Sequence, residues 1–187
     1  MKKYILVLGV IPLLFSCSGS KKAADQPVPE PDVEVVMPCS GADFFTNKKY
    51  FRAHNIGVSL DQVVSKKKAL SNARADLAFS VNSLVELVVD SYVESSEFNN
   101  VEVLKEHFEG FSDKVIREEL AGVKTICEKL TKTSEDKFKT YIAIELSAQK
   151  LVDKFHERMM KDDLLKIDYD YEKFKKAFEE EMQKLNS

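Results

Sequence analysis

The sequence predicts an α+β domain in which a long helix packs on a small antiparallel sheet, in the order β-α-α-β-β, with additional C-terminal helices. Three observations lead to this prediction. A strand-like segment at residues 50–56 runs into a helix start, and two alternating segments at 123–133 and 137–147 are separated by a short polar loop. The remaining apolar residues recur mostly at helical spacing.

The first strand is expected to break at Gly57, where a long helix begins. Ser59 is the predicted N-cap, Gln62 completes a capping box with it, and Asp61 adds negative charge near the helix start. An apolar stripe then recurs in steps of three, four or seven through Val63, Leu70, Ala73, Leu77, Val81, Leu84 and Val88. The small side chains of Ala69 and Ala73 leave room for a sheet, so one face of this helix is expected to lie flat on it.

The second helix is predicted at 101–121, with Gly110 as a point at which it could divide. The segments 123–133 and 137–147 follow as two strands, joined by a loop at 134–136. Strands this close in sequence are expected to pair in antiparallel fashion. Together with the first strand they complete an α+β domain at residues 33–148.

Residues 149–187 are predicted to be a C-terminal helical extension. Its second helix starts near Asp168 or Asp170 as the cap. The apolar side of that helix, which includes Phe174, Phe178 and Met182, either folds back on the domain or is offered to another protein. Folding back is the favoured interpretation because helical stripes are usually packing surfaces.

The first residues have the organisation of an export signal. Lys2 and Lys3 precede an apolar run at 4–14 that is short for a membrane span, and Ser16 is a small residue before Cys17. The run Leu13-Leu14-Phe15-Ser16-Cys17 resembles the bacterial lipobox. That resemblance implies a lipoprotein signal peptide at 1–16 and acylation of Cys17. The alternatives are a plain secretory signal with an incidental cysteine, or an uncleaved anchor helix.

Residues 17–32 are predicted to be a lipid-anchored flexible tether, because Ser, Gly, Lys, Ala and alternate prolines dominate them. The whole chain has a formal net charge of −3, which does not favour nucleic acid as a partner. The basic cluster at 66–68 is therefore read as a solvated helix face.

Two further cysteines, Cys39 and Cys127, form an even pair in an exported chain, where a disulfide is chemically allowed. The other interpretation is that Cys127 is a buried free thiol in an apolar strand. The sequence leaves both open, because it does not give the distance between the two residues.

Residues 50–146 resemble the LPP-twenty family of bacterial envelope lipoproteins. The resemblance rests on Phe51-Arg52-Ala53, Gly57, Ser59, Lys68-Ala69, Asn72-Ala73-Arg74 and Leu77-Ala78. It implies a dodecin-like core, with a long helix on a three-stranded antiparallel sheet, and a location at the bacterial outer membrane. It supplies no functional residues. The chain has no tryptophan, so the flavin-stacking residue of true dodecins has no counterpart.

Residues suited to catalysis or metal binding are scarce. His54, His107 and His156 lie far apart in sequence, with none of the close spacings typical of metal sites. There is no nucleophile-elbow motif and no glycine-rich phosphate loop. The sequence therefore predicts no enzyme activity, no metal and no cofactor.

The expected function is that of a lipid-anchored envelope lipoprotein at the bacterial outer membrane, facing the periplasm, with a non-enzymatic interaction or structural role. The expected partners are the membrane, through acylated Cys17, and copies of the chain or other envelope proteins. The alternative is a small apolar-ligand-binding lipoprotein of the periplasm. In that case Tyr141 on the sheet, or Tyr169, Tyr171 and Phe174 in the extension, would cover an apolar pocket.

Overall fold

A computed structural model describes residues 34–95 and 101–185 of the chain. The predictions for the signal peptide, Cys17 and the tether therefore lie outside the described residues. The described strands and helices, in chain order, are β1 (Tyr50–Ser59), α1 (Gln62–Glu94), α2 (Val101–Ala121), β2 (Lys124–Lys132), β3 (Phe138–Ser147), α3 (Ala148–Met159), α4 (Leu165–Asp168) and α5 (Tyr171–Lys184). A short 3-10 helix at Ala42–Phe44 precedes β1. The predicted α+β class and element order are confirmed.

The sheet has three antiparallel strands in the order β1-β3-β2. The hairpin of β2 and β3 places β3 in the centre, and β1 pairs with its other side. β1 does not break at Gly57, as the sequence suggested, but continues to Ser59, which pairs with Phe138. The pairing of β2 shifts register between Thr125 and Cys127 and is regular from Cys127 to Lys132.

The prediction that Ser59 caps α1 is wrong. The N-cap is Asp61, whose carboxylate accepts a hydrogen bond from the Val64 amide at 2.8 Å. Ser59 is held in β1 by its pairing with β3, so the helix begins two residues later than expected. Val63, which the sequence placed on the apolar stripe, lies off the buried face and is 60% exposed.

The helix face that meets the sheet begins with small residues. Ser65, Ala69 and Ala73 are completely buried. The Ser65 hydroxyl donates to the Gly57 carbonyl at 2.9 Å and lies 2.8 Å from the Thr140 hydroxyl on β3. These bonds join α1 to the two strands beneath it.

Gly57 is the point of closest approach between sheet and helix. A Cβ atom at this position would lie 2.1 Å from the Ser65 carbonyl oxygen and 2.4 Å from the Ala69 amide nitrogen. Both are backbone atoms, so no side-chain rotation could relieve the overlap. A glycine is therefore required here by the packing of α1.

The C-terminal helices fold back on the domain, as favoured from the sequence. Phe174, Phe178 and Met182 on α5 are buried in the same core as α1. Phe178 meets Phe51 of β1 edge-to-face, with ring centroids 6.2 Å apart. Asp170 is the N-cap of α5, and α2 passes through Gly110 without dividing.

Gly57→Ala is expected to lower the free energy of unfolding by about 3 kcal/mol, because the new methyl group must displace the backbone of α1. The measurement is urea unfolding followed by far-UV circular dichroism. Gly110→Ala is the matched control. Nothing lies within 4 Å of a Cβ atom at that helical position, so this variant should gain about 1 kcal/mol from helix propensity. Equal stabilities of the two variants would contradict the proposed contact.

Candidate interaction surface

The face of the sheet opposite α1 carries Arg52, Glu145 and Cys127. Side chains alternate along a strand, and neighbouring positions such as Phe51, Gly57 and Thr140 belong to the α1 side. The segment that precedes β1 is attached to this face by a disulfide and by a hydrogen bond from Arg52, and to the outer edge of β1 by a pair of side-chain hydrogen bonds.

The first attachment is a disulfide between Cys39 and Cys127. The Sγ atoms are 2.09 Å apart and the Cα atoms 5.5 Å apart. Of the two states that the sequence left open, the structure has the bridge and not the free thiol. The bridge joins the segment before β1 to β2, across a sequence separation of 88 residues.

Arg52 provides the second attachment. Its guanidinium lies 3.1 Å from the Glu145 carboxylate on β3 and donates to the Asp43 carbonyl oxygen at 3.1 Å. Lys124 of β2 is 3.8 Å from the other Glu145 oxygen. Arg52 thus joins β1 to β3 and to the preceding segment, and Glu145 receives a cation from each of the two neighbouring strands.

The outer edge of β1 is covered by side chains. The Thr46 hydroxyl accepts from the Arg52 amide at 3.0 Å and donates to the Arg52 carbonyl at 3.2 Å. Farther along, Asn72 and Lys68 of α1 donate to the carbonyl oxygens of Ile56 and Val58. These contacts occupy backbone groups that an incoming strand would need.

The other edge of the sheet, β2, is much more open. Most of its residues are exposed, and among them Leu130 retains 41% of its side-chain exposure. Within the part of the chain that the structure describes, β2 has β3 as its single strand partner. Lysines at 124, 129 and 132 accompany this edge, a feature common on natural edge strands.

The three histidines have different surroundings. His54 lies on β1 beside Arg52, in a wide cleft of about 600 Å³. The His107 Nδ1 atom is 3.1 Å from the Asp162 carboxylate. The His156 ring packs on Tyr171, with centroids 4.5 Å apart. Residues 34–95 and 101–185 contain no group of three or more potential metal ligands.

The carboxylate of Asp162 ties the end of α3 to α2. Burial alone would raise the pKa of this carboxyl. The hydrogen bonds from His107 and from the Leu164 and Leu165 amides outweigh that effect, so the pKa is lowered. Nearby, burial raises the pKa of the Tyr169 hydroxyl far above its usual range, so this group stays protonated. Both features belong to the packing of the C-terminal helices.

The aromatic residues suggested as a pocket lid do not share one role. Phe174 is buried between Tyr92 and Phe108, with ring centroids 5.7 and 5.9 Å away, so it fills the core. Tyr169 is half-buried against Tyr92. Tyr141 lies on the sheet face opposite α1, with Lys139 above its ring.

A separate cleft of about 340 Å³ lies between the start of β1, the start of α3 and one face of α5. Val152, Phe178 and Met182 form its apolar floor. Lysines 48, 49 and 175 and Glu179 also line it. This cleft was not predicted from the sequence, because its walls come from three distant segments.

Comparison of the chain with protein-family models, with curated protein sequences and with solved structures found no match. In the described ranges, none of the helices combines the length and the apolar character needed to cross a bilayer.

Replacing both bridged cysteines, Cys39→Ser with Cys127→Ser, is expected to lower the free energy of unfolding by about 4 kcal/mol, because the bridge closes a long loop in the unfolded chain. Urea unfolding with and without reductant measures this change. Reductant should lower the midpoint of the unaltered chain to that of the double variant and leave the variant unchanged. An unaltered midpoint under reductant would contradict a stabilising bridge.

Proposed function

We propose that the chain is a lipid-anchored envelope lipoprotein, held at the bacterial outer membrane through acylated Cys17 and facing the periplasm, with a non-enzymatic interaction or structural role. The observation that carries the proposal is the Cys39–Cys127 disulfide. Disulfides persist in oxidising compartments such as the periplasm and are rare in the bacterial cytosol. Since the chain has three cysteines, the bridge leaves Cys17 as the thiol that is free to carry lipid.

Two further features support this proposal. Residues 13–17 resemble the lipobox, and residues 50–146 resemble the LPP-twenty family of envelope lipoproteins. The order of strand, long helix and closing hairpin in the structure is the order that the second resemblance implies.

The surface of the domain favours a role in contact. Phe79 on α1 and Leu60 before it are 75% and 73% exposed, and β2 presents an open strand edge. Exposed apolar groups and open edges are features by which proteins associate. The attachment of the segment before β1 to the sheet would fix the point at which the predicted tether meets this surface.

Acylation at Cys17 is the central prediction of this proposal. Cells grown with a labelled fatty acid should incorporate the label into the full chain, and Cys17→Ser should abolish incorporation because the acceptor sulfur is lost. Ser20→Ala, three residues along, is the matched control and should keep the label. Mass spectrometry should find a mature chain that begins at a modified Cys17. An unmodified chain that fractionates away from membranes would overturn the proposal.

A separate experiment tests whether the domain faces the periplasm or the outside of the cell. Protease added to intact cells should leave the domain undigested if it faces the periplasm, and should digest it after the outer membrane is permeabilised. Digestion in intact cells would place the domain outside the cell while leaving the lipid anchor unaffected.

A small apolar-ligand carrier is the second candidate. The observation that favours it is the cleft floored by Val152, Phe178 and Met182. Native mass spectrometry of the purified chain tests it directly. A co-purified small molecule, lost when Val152→Lys fills the cleft, would support a carrier, and an empty protein at high yield would exclude one.

A further inference from the structure

We propose that β2 pairs with β2 of a second copy of the chain, in antiparallel orientation about a two-fold axis at Leu130. The pairing would join two three-stranded sheets into one sheet of six strands. This inference deepens the proposed contact role by naming the partner, and it rests on that role. It does not depend on the lipid anchor.

The hydrogen-bonding direction of β2 fits such a pairing. The Thr133 amide donates to the Lys137 carbonyl at 2.8 Å, toward the β3 side of the hairpin. Because backbone groups alternate in direction along an antiparallel strand, the amides of Thr131 and Lys129 also point toward β3. Those of Lys132, Leu130 and Glu128 point away from it, toward the edge that has no strand partner within residues 34–95 and 101–185.

The side chains of β2 select one register. A two-fold axis perpendicular to the sheet places the same face of both copies on the same side of the joined sheet. Opposed side chains also lie on the same side, so the axis must pass midway between two copies of one residue. With the axis at Leu130, Glu128 lies opposite the partner's Lys132, and the same pair recurs on the other side of the axis. The two leucines meet between these ion pairs.

The neighbouring registers are less favourable. An axis at Lys129 would set two lysines directly opposite each other and place Glu128 against leucine. An axis at Thr131 would place Lys132 against leucine and form no ion pair at these positions. Opposite charges across a strand pair stabilise it, and like charges destabilise it. The charge pattern of β2 is therefore complementary to itself at a single register among the three.

The groups required for pairing are accessible. The side chains of Glu128 and Lys132 are 38% and 54% exposed. Glu128 now lies 2.9 Å from Lys66, and Lys132 lies 2.8 Å from Asp136. Exposed ion pairs of this kind contribute little to stability, so exchanging them for pairs across the interface costs little. The side-chain cover on β1 makes β2 the more suitable of the two edges.

The test uses the full chain in cells, with Leu130→Cys as a crosslinking probe. Opposed residues of a hydrogen-bonded antiparallel pair have Cα atoms about 5.5 Å apart, within the range of a disulfide. After mild oxidation, a non-reducing gel should show a dimer of the L130C chain. Asp113→Cys, on α2 with its side chain 74% exposed, is the matched control and should show no more dimer than the unaltered chain.

Charge exchange then tests the register. In the L130C chain, E128K or K132E alone should reduce the dimer by about tenfold, because each converts both ion pairs into like-charge pairs. The combination E128K with K132E should restore it. E135K, in the adjoining hairpin loop, is the control for a charge change off the interface and should leave the dimer intact.

Three outcomes would overturn the inference: an L130C dimer no stronger than that of D113C, no recovery in the combined charge exchange, or an adduct with a different protein in place of the dimer. Fatty-acid labelling of the L130C chain separates this result from the anchor. Label without dimer would refute the β2 pairing alone, and dimer without label would refute the anchor alone.

Discussion

The contact between Gly57 and the first turns of α1 is the constraint on which the rest of the structure depends. The absent side chain at Gly57 and the small side chains of Ser65, Ala69 and Ala73 let the helix backbone rest on β1 and β3. A helix of 33 residues is about 50 Å long, whereas a strand of ten residues spans about 34 Å. The later turns of α1 therefore extend past the sheet, and α2, α3 and α5 cover them with a core rich in aromatic residues.

The same placement leaves β2 open. The first turns of α1 lie over β1 and β3, and among the described residues no strand pairs with the outer edge of β2. The C-terminal helices are needed to bury the part of α1 that extends past the sheet. In the described ranges, the sheet itself keeps one edge, that of β2, whose outward backbone groups pair with no other strand. The three histidines are distributed among separate packing environments.

The sequence was sufficient for those features that depend on local periodicity. The bounds of α2 and the two hairpin strands follow from apolar spacing to within a residue. The start of α1 did not, because Ser59 and Asp61 are both good caps, and the choice between them is set by the pairing of Ser59 with the distant Phe138. The disulfide likewise depends on a distance between residues far apart in sequence. The openness of β2 had a signal: polar residues occupy both faces at 128–132, a pattern typical of a strand covered on neither side.

The Cys39–Cys127 bridge also determines how the domain responds to mechanical load. Tension applied on the N-terminal side of Cys39 passes through the bridge directly into β2. The residues between the two cysteines, including β1, α1 and α2, lie outside the path of that tension while the bridge is intact. Traction at the N-terminal side would therefore strain the β2–β3 hairpin first, and the long helix would be unwound by such a force after reduction of the bridge.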